Sequence, residues 1–469
     1  MIPAGAPVLT AQAMRDAEAR VFATGVSQDE LMERAGAAVA RETARFATGR
    51  PILVLAGPGN NGGDAYVAAR LLKAQGHDVA VVASGPPGPG AAERMHARWD
   101  GPTSALYAAR PRPVLVDGLF GTGLSRPLER GLAAVFADLV AKASFTLAID
   151  VPSGIETDSG ADLGVPRGIG ATLALGALKP AHLLEAGLER CGHVLLADIG
   201  IPIESSWRSV ARPRLAAPGP FDHKYTRGLV AVVEGAMAGA ARLAARAAMA
   251  GGAGYVVLAG ASPEAGGPDA LVRRTVETAA DLAEFAGWDR IDALLLGPGL
   301  GRDARARNWL EIALHSERPL ILDGDAISLL AAMPDGVGLL RERGAPVWLT
   351  PHSGEFDRLF PGEGGKIART VAAAADASAT IVHKGADTVI ASPRGTVRML
   401  AGASPWLSTA GTGDVLAGLV AAQVARGAKP LAAAETAAWL HARAAALAGP
   451  AFIADRLADL IPEAIAECL

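Results

Sequence analysis

Cysteine is nearly absent from this chain: 469 residues contain two, Cys191 and Cys468. That argues against a disulfide framework or a cysteine-based zinc site, and makes a reducing compartment, the cytoplasm, the expected location. Aromatic residues are scarce as well, at 4%, so the core has to be packed from small aliphatic side chains and close backbone approaches, which 56 glycines permit. No basic excess exists. Lys and Arg number 44 against 48 Asp and Glu, a formal net charge of −4, so there is no electrostatic footing for nucleic acid. No Lys/Arg-rich run suits a membrane surface. The opening stretch, MIPAGAPVLTAQAMRDAEARVF, has no basic leader and meets Arg15 and Asp16 before any apolar run develops, so no signal peptide is expected. The longest weakly charged stretch, Ala247 to Ser262, is Gly/Ala-rich and too short to span a bilayer comfortably.

Half of the residues are hydrophobic and 20% charged, a globular composition. The length exceeds what one ordinary core supports and implies two domains. From Pro51 onward, short apolar runs alternate with Ala-rich amphipathic segments. ILVLAG (from Ile52), VAVVAS (from Val79), PVLVDGLFG (from Pro113), TLAIDVPSG (from Thr146) and ATLALGA (from Ala171) read as strands. Ala65 to Ala74 and Glu129 to Lys142 read as helices, and Gln12 to Ala47 as two helices joined near Gly25–Ser27. Continuous apolar strands separated by helices imply a parallel sheet covered on both faces. ARPRLAAPGP (from Ala211) has no apolar period and reads as a linker. The pattern then restarts with LVAVVEG, YVVLAG, DALLLGPG, PLILDGD, PVWLTP, TIVHKG and TVIAS, and closes on helices over Gly411–Ala425 and Leu431–Leu447. The expected organisation is α/β: a first domain over 1–212, a linker over 213–221 and a second domain over 222–469.

The first strand ends in GPGNNGGD (Gly57 to Asp64) and runs into a helix, so glycine amides and a helix N-terminus face an anion. A Gly-rich turn alone is only a tight turn. Asn60, Asn61 and Asp64 change that, because such side chains are costly to bury unpaired and here stand at the carboxyl edge of a sheet. DGLFGTGLSRP (from Asp117) supplies a second carboxylate at a strand end with a Gly-rich, Arg-bearing loop, and AIDVPSG places Asp150 and Ser153 at a third. Asp150 alone is equally well explained as a turn cap; three strand ends together point to one polar site.

These three motifs together resemble the NAD(P)H-hydrate epimerase family over about residues 10–205. The resemblance implies a Rossmann-like doubly wound sheet that binds the hydrated dinucleotide over Asn60, Asn61, Gly62, Gly63 and Asp64 and over Gly121, Thr122, Gly123, Leu124, Ser125, Arg126 and Pro127, with Asp150 at the substrate. It also implies a potassium ion on Asn61, Asp117 and Ser153, hard oxygen donors suited to such a cation. Where the family usually has Gly after the Asp of the first loop, this chain has Ala65. Epimerising a carbon that bears a ring hydroxyl requires reversible proton traffic, work for a carboxylate. Asp150 is the candidate, with Asp64 left open.

In the second half, STAGTGDVLAGLVAA (Ser408 to Ala422) takes a Gly-rich turn into an apolar helix, presenting Gly411 and Gly413 amides to a phosphate. Asp414 in the first helical turn also suits the helix dipole. A carboxylate beside a phosphate site has a stronger reason to exist, however: deprotonating the hydroxyl that attacks the terminal phosphate. The turn resembles the GxGD signature of the ribokinase-like fold. LLLGPGLGRD, ILDGDA, LTPHSGEFDRL and VHKGADTVI follow the order seen in ADP/ATP-dependent NAD(P)H-hydrate dehydratases, over about residues 222–465. That resemblance implies nucleotide contacts on Lys384, Gly385, Ala386, Asp387, Thr388 and Gly413, and hydrate contacts on Ala240, Gly301, His352 and Asp414. Taken alone, His352 would be a helix-entry residue and Lys384 an edge lysine. EGA (Glu234 to Ala236) replaces the usual GGS-like loop, and Ser353 stands where Pro is frequent.

The expectation is therefore a bifunctional repair enzyme. It would epimerise the R and S hydrates of NADH and NADPH and dehydrate the S form with ADP as co-substrate, Mg2+ accompanying the nucleotide. ADP rather than ATP rests on resemblance to bacterial single-chain fusions. A homo-oligomer is the expected assembly. The rival is a ribokinase-like vitamin or sugar kinase fused to a dinucleotide-binding regulatory module.

Overall fold

The computed structural model describes residues 2–261 and 268–469; Ser262 at the end of the weakly charged stretch lies outside them. The chain divides into two compact units, Met1–Ser209 and Val210–Leu469. Residues 211–219, within the segment read as a linker, form no helix or strand. Among the described residues no helix is long and apolar enough to cross a membrane.

The first unit opens with two helices, each started by a hydroxyl cap. Thr10 caps α1 (Ala11–Ala23) by accepting from the Ala13 amide, and Ser27 caps α2 (Gln28–Ala47) by accepting from the Glu30 amide. Seven strands follow: β1 (Ile52–Ala56), β2 (Val79–Ala83), β3 (Thr103–Ala105), β4 (Val114–Gly118), β5 (Phe145–Ile149), β6 (Ala171–Leu175) and β7 (His193–Ala197). They lie in the order β3-β2-β1-β4-β5-β6-β7, every neighbouring pair parallel. α3 (Asn60–Ala74), α4 (Ala91–Ala97), α5 (Arg130–Lys142) and α6 (Glu185–Arg190) connect them, and a short β8 (Trp207–Ser209) returns to the N-terminal segment, its Ser209 amide donating to the Ala6 carbonyl. β1 and β4 are buried at every position because both sheet faces are covered. One apolar cluster joins α1, α2 and α3 to the sheet, while a second, around Phe136 and Leu139, seats α5 on the opposite face.

The chain reverses direction across the sheet between β1 and β4, where such folds open a ligand crevice. Register fixes the chemistry there. Leu55 pairs with Asp117, and Asp117 with Ala148, so the ends of β1, β4 and β5 reach one edge together. α3 begins at Asn60, inside the Gly-rich loop, five residues earlier than the apolar period indicated. Close packing explains the early start. A Cβ on Gly62 would stand 1.9 Å from the Gly57 carbonyl oxygen, and one on Gly63 would stand 2.4 Å from Met32 Sδ.

The second unit's strands are β9 (Leu229–Val233), β10 (Tyr255–Gly260), β11 (Val272–Thr275), β12 (Ala293–Leu296), β13 (Leu320–Leu322), β14 (Val347–Leu349), β15 (Thr380–His383), β16 (Asp387–Ala391) and β17 (Val397–Ala401). Their order is β11-β10-β9-β12-β13-β14-β15-β16-β17. It is parallel as far as β15, after which β16 and β17 add an antiparallel end. The helices are α7 (Ala238–Ala250), α8 (Ala279–Ala286), α9 (Ala304–His315), α10 (Gly324–Ala331), α11 (Gly336–Arg341), α12 (Ser353–Leu359), α13 (Lys366–Asp376), α14 (Thr412–Ala425), α15 (Pro430–Ala448), α16 (Ala454–Asp459) and α17 (Ile461–Ala466). α14 is apolar all round and buried along nearly its whole length, as its uniform hydrophobicity requires. It packs between Ala-rich α7 and α15. The approach to α7 is so close that a Cβ on Gly418 would lie 2.1 Å from the Ala244 carbonyl oxygen.

Candidate active sites

In the first unit, the ends of β1, β4 and β5 and the inner faces of α1 and α2 enclose a cavity of about 430 Å3. Asn60, Asn61, Asp64, Gly121, Thr122, Gly123, Leu124 and Asp150 line it, joined by Arg15, Glu18 and Lys179. Asp150 sits just past β5 with φ of +62°, a left-handed conformation unusual for a residue with a side chain. Its Oδ1 accepts from the Leu175 amide at 2.9 Å and is ion-paired with Lys179, a fully buried lysine. Asp64 faces the same cavity from α3. Burial, reinforced by the negative charges of Asp150 and Glu18, holds its carboxyl well above the usual range. Glu18 is raised as well, first by burial and then by Asp150. The cavity thus sets Asp64, whose burial favours the protonated form, beside Asp150 with its Lys179 partner.

Behind this pair lies Asp117, fully buried, with no Lys or Arg ion-paired to it among the described residues. Its carboxylate accepts from the Ser153 amide (2.8 Å), the Ser153 hydroxyl (2.7 Å) and the Leu119 amide (3.2 Å). Burial nevertheless pushes it up to about 6. Ser153 Oγ also accepts from the Phe120 amide, and the buried Asn61 Nδ2 has no hydrogen-bond partner. The Ala65 methyl does not line the cavity. It points at β4, where a Cβ on Gly118 would come within 2.6 Å of it, so the departure from the usual glycine is absorbed by sheet packing.

Some residues assigned to this site lie elsewhere on it. Gly62 and Gly63 are packed into the helix start, and Ser125, Arg126 and Pro127 are exposed outside the cavity wall. Sequence reasoning missed Glu18 and Lys179. Glu18 belongs to an unremarkable amphipathic helix, and Lys179 follows a strand and precedes a proline, the pattern of an edge lysine.

In the second unit, Lys384, Gly385, Ala386, Thr388 and Gly413 line a second cavity of about 430 Å3, walled also by Leu400, Pro405, Leu416, Ala438 and His441. Asp387 is not part of that wall; it pairs with Lys366 Nζ. At the cavity's polar end Lys384 Nζ is 2.8 Å from Asp323 Oδ1, which also accepts from the Thr350 hydroxyl at 2.7 Å. Gly413 lies against this pair, since a Cβ there would stand 3.3 Å from Lys384 Nζ. Gly411 has φ of +89° and turns the chain into α14. Asp414 follows in the first turn, and burial, then the charge of Asp323, raises it to about 6 against the lowering effect of Lys384; Asp325 and Glu355 add to the rise.

Two of the residues expected to contact the hydrate are held by the acidic groups whose charge reaches Asp414. Asp325 accepts from the Gly301 amide (3.0 Å), and Glu355 accepts from the His352 amide (3.0 Å). The Lys384 amide donates to the Pro351 carbonyl, tying the His352 loop to β15. Ala240 stands where a Cβ on Gly299 would meet it at 3.0 Å, so it borders the same glycine loop. Glu234, in place of the usual small residue, is buried at the end of β9 against Gly260, while the amides of Ala236 and Met237 bind the carbonyls of Leu300 and Gly299. Asp323 and His441 were missed. Asp323 lies within a motif that was noticed, whereas His441 is hidden in an Ala-rich helix.

Two family models match these two sites. Residues 230–466 match the family described as NAD(P)H-hydrate dehydratase, and residues 28–181 match that of the YjeF-related protein N-terminus. A bifunctional NAD(P)H-hydrate repair enzyme of Mycobacterium leprae is 35% identical, the match covering 93% of this chain and 92% of that one. The chain belongs to the bifunctional NAD(P)H-hydrate repair enzyme family. A second member, from Gloeobacter violaceus, is 37% identical over 91% of this chain and 90% of its own. Among solved structures, a ribokinase-like superfamily protein of Enterococcus faecalis is similar with a TM-score of 0.50 and 26% identity, covering 57% of this chain and 98% of that one. Both halves of the family architecture, each with its own cavity, are therefore present in one chain.

Proposed function

We propose that the first unit interconverts the R and S hydrates of NADH and NADPH, and that the second unit dehydrates the S hydrate with ADP, giving NAD(P)H, AMP and phosphate. The observation that carries this reading is the pairing, in one chain of this family, of a cavity holding Asp64 opposite Asp150 with a cavity whose phosphate turn carries Asp414.

Hydroxide is a poor leaving group. Asp414, a base at neutral pH with its carboxyl near 6, takes the proton of the hydrate's hydroxyl as that oxygen attacks the terminal phosphorus of ADP. AMP leaves, and the hydroxyl becomes a phosphate ester. Loss of inorganic phosphate, with a proton from the neighbouring ring carbon, restores the dihydropyridine double bond. Lys384 and the amides at Gly411 and Gly413 offset charge on the moving phosphoryl group. Among the described residues no cluster of three His, Cys, Asp or Glu side chains forms a metal cage. Magnesium would accompany the nucleotide, held mainly by its phosphates and water.

In the first unit, Asp150 accepts and Asp64 donates protons at the hydroxyl-bearing carbon. A potassium ion would be held by Asn61, Asp117 and Ser153. Asp117 is a buried carboxylate with no Lys or Arg ion-paired to it among the described residues, and the side-chain oxygens of Asn61 and Ser153 are the hard donors such a cation takes. Such a cation supplies positive charge near the dinucleotide. The direct test mixes the purified protein with R/S-hydrated NADH and ADP and follows the return of NADH absorbance. Complete return supports both activities, return stopping near half leaves only the dehydratase, and no return refutes the reading.

A further inference from the structure

From the end of β6 and the segment after it, three residues bind Asp150: Leu175, Lys179 and His182. The Leu175 amide donates to Asp150 Oδ1 at 2.9 Å, and Lys179 Nζ binds the same oxygen while donating to the Leu175 carbonyl at 2.8 Å. His182 Nε2 is 2.7 Å from the Asp150 carbonyl oxygen, and its Nδ1 accepts from the Lys179 amide at 2.9 Å. An amide can only donate, so Nδ1 is unprotonated and Nε2 carries the hydrogen that binds Asp150. Imidazolium cannot make both bonds, and burial holds His182 down at about 4, so the neutral ring persists across the working range.

These contacts are expensive. A left-handed residue with a side chain is strained, and a fully buried ammonium gains little stability even when paired. Fold stability alone would be better served by glycine at 150 and an apolar residue at 179. Both groups line the cavity.

We propose that Lys179 and His182 are positioning residues of the epimerase site: His182 fixes the Asp150 backbone in its left-handed turn, and Lys179 holds the carboxylate aimed at the hydroxyl-bearing carbon. This rests on the reading of the first unit as an epimerase. The charged groups around Asp150 are Lys179 on its own side, Glu18 and Arg15 from α1, and Asp64 from α3. Without Lys179 the Asp150 carboxylate keeps the Leu175 amide but loses its ion-pair partner, and its aim is no longer fixed from that side.

The test uses the full chain without ADP, so that no dehydration occurs, and follows separated R hydrate turning into the R/S mixture by chromatography. Lys179→Met should lower kcat by about 10²-fold or more with KM little changed; Lys179→Arg, which keeps a charged donor for the same oxygen, should recover part of the rate. His182→Gln, whose amide reaches the place of Nε2, should keep most of the rate, whereas the shorter His182→Asn should lose about 10²-fold. If Lys179→Met does not fold, the His182 pair decides. An unchanged kcat in a folded Lys179→Met protein, or equal rates in the two His182 variants, overturns the proposal. A wild-type protein that fails to epimerise refutes instead the function on which it rests.

Discussion

Replacing Asp414 by Asn keeps the shape of the side chain and removes its charge, and it should move activity and stability in opposite directions. Burial and the neighbouring Asp323 hold the Asp414 carboxyl at about 6 instead of 3.8. Unfolded, the group ionises at its ordinary value, so above pH 6 the fold carries an anion it disfavours. The difference corresponds to about 3 kcal/mol, and partial exposure reduces it, leaving on the order of 1–3 kcal/mol. The sign follows directly. A carboxyl whose folded value is raised lets the fold bind the extra proton between about pH 4 and 6, and that stability is lost as pH rises through 6. Asp414→Asn should therefore be the more stable protein at pH 8, by the stated amount, and gain nothing at pH 3.5. Dehydration should fall by 10²- to 10⁴-fold, about 3–5 kcal/mol of transition-state stabilisation. Denaturant unfolding of the second unit, followed through buried Trp309 and Trp348, reads the first effect, and NADH recovery from the S hydrate reads the second. An Asn variant that still dehydrates at near the wild-type rate would refute the assignment of the base. One that is no more stable at pH 8 would refute the electrostatic argument.

Gly411→Ala puts a side chain at φ of +89° and within 3 Å of Leu243 and Ala454; it should cost at least about 1–2 kcal/mol and weaken ADP binding, measured by calorimetry. Asp117→Asn should abolish the potassium dependence of epimerisation while leaving dehydration of pure S hydrate intact, read by repeating both assays in sodium and potassium salts. Phe136→Ala empties the pocket under α5 and should destabilise the first unit by about 3–5 kcal/mol without touching the dehydratase rate, visible as a separate, earlier unfolding transition.

Much of the fold was legible because parallel strands buried on both faces have to be continuous apolar runs, and β1, β9 and β12 are such runs. The carboxyl-edge loops were legible for a related reason: Asn61, Asp117 and Ser153 are buried polar residues near strand ends, which is costly unless they are paired or meet a ligand. What stayed hidden was set by tertiary contact. The start of α3 at Asn60 runs against helix propensity at Gly62–Gly63, and is dictated by the Gly57 carbonyl and Met32 pressing on those positions. Antiparallel β16 carries the same continuous apolar pattern as the parallel strands, so its direction could not be read, and β17, interrupted by Arg398, was not read as a strand. Glu18 and Lys179 look like surface residues until α1 and the segment after β6 close over the cavity.

The central claim is that two catalytic units in one chain restore both hydrate epimers. An R/S mixture of hydrated NADH, incubated with the protein, Mg2+ and ADP, measures it directly in a single trace. Complete recovery of NADH absorbance, with AMP and phosphate formed in equal amounts to the NADH regained, is the predicted result. A stable phosphorylated product with no NADH regained would contradict it.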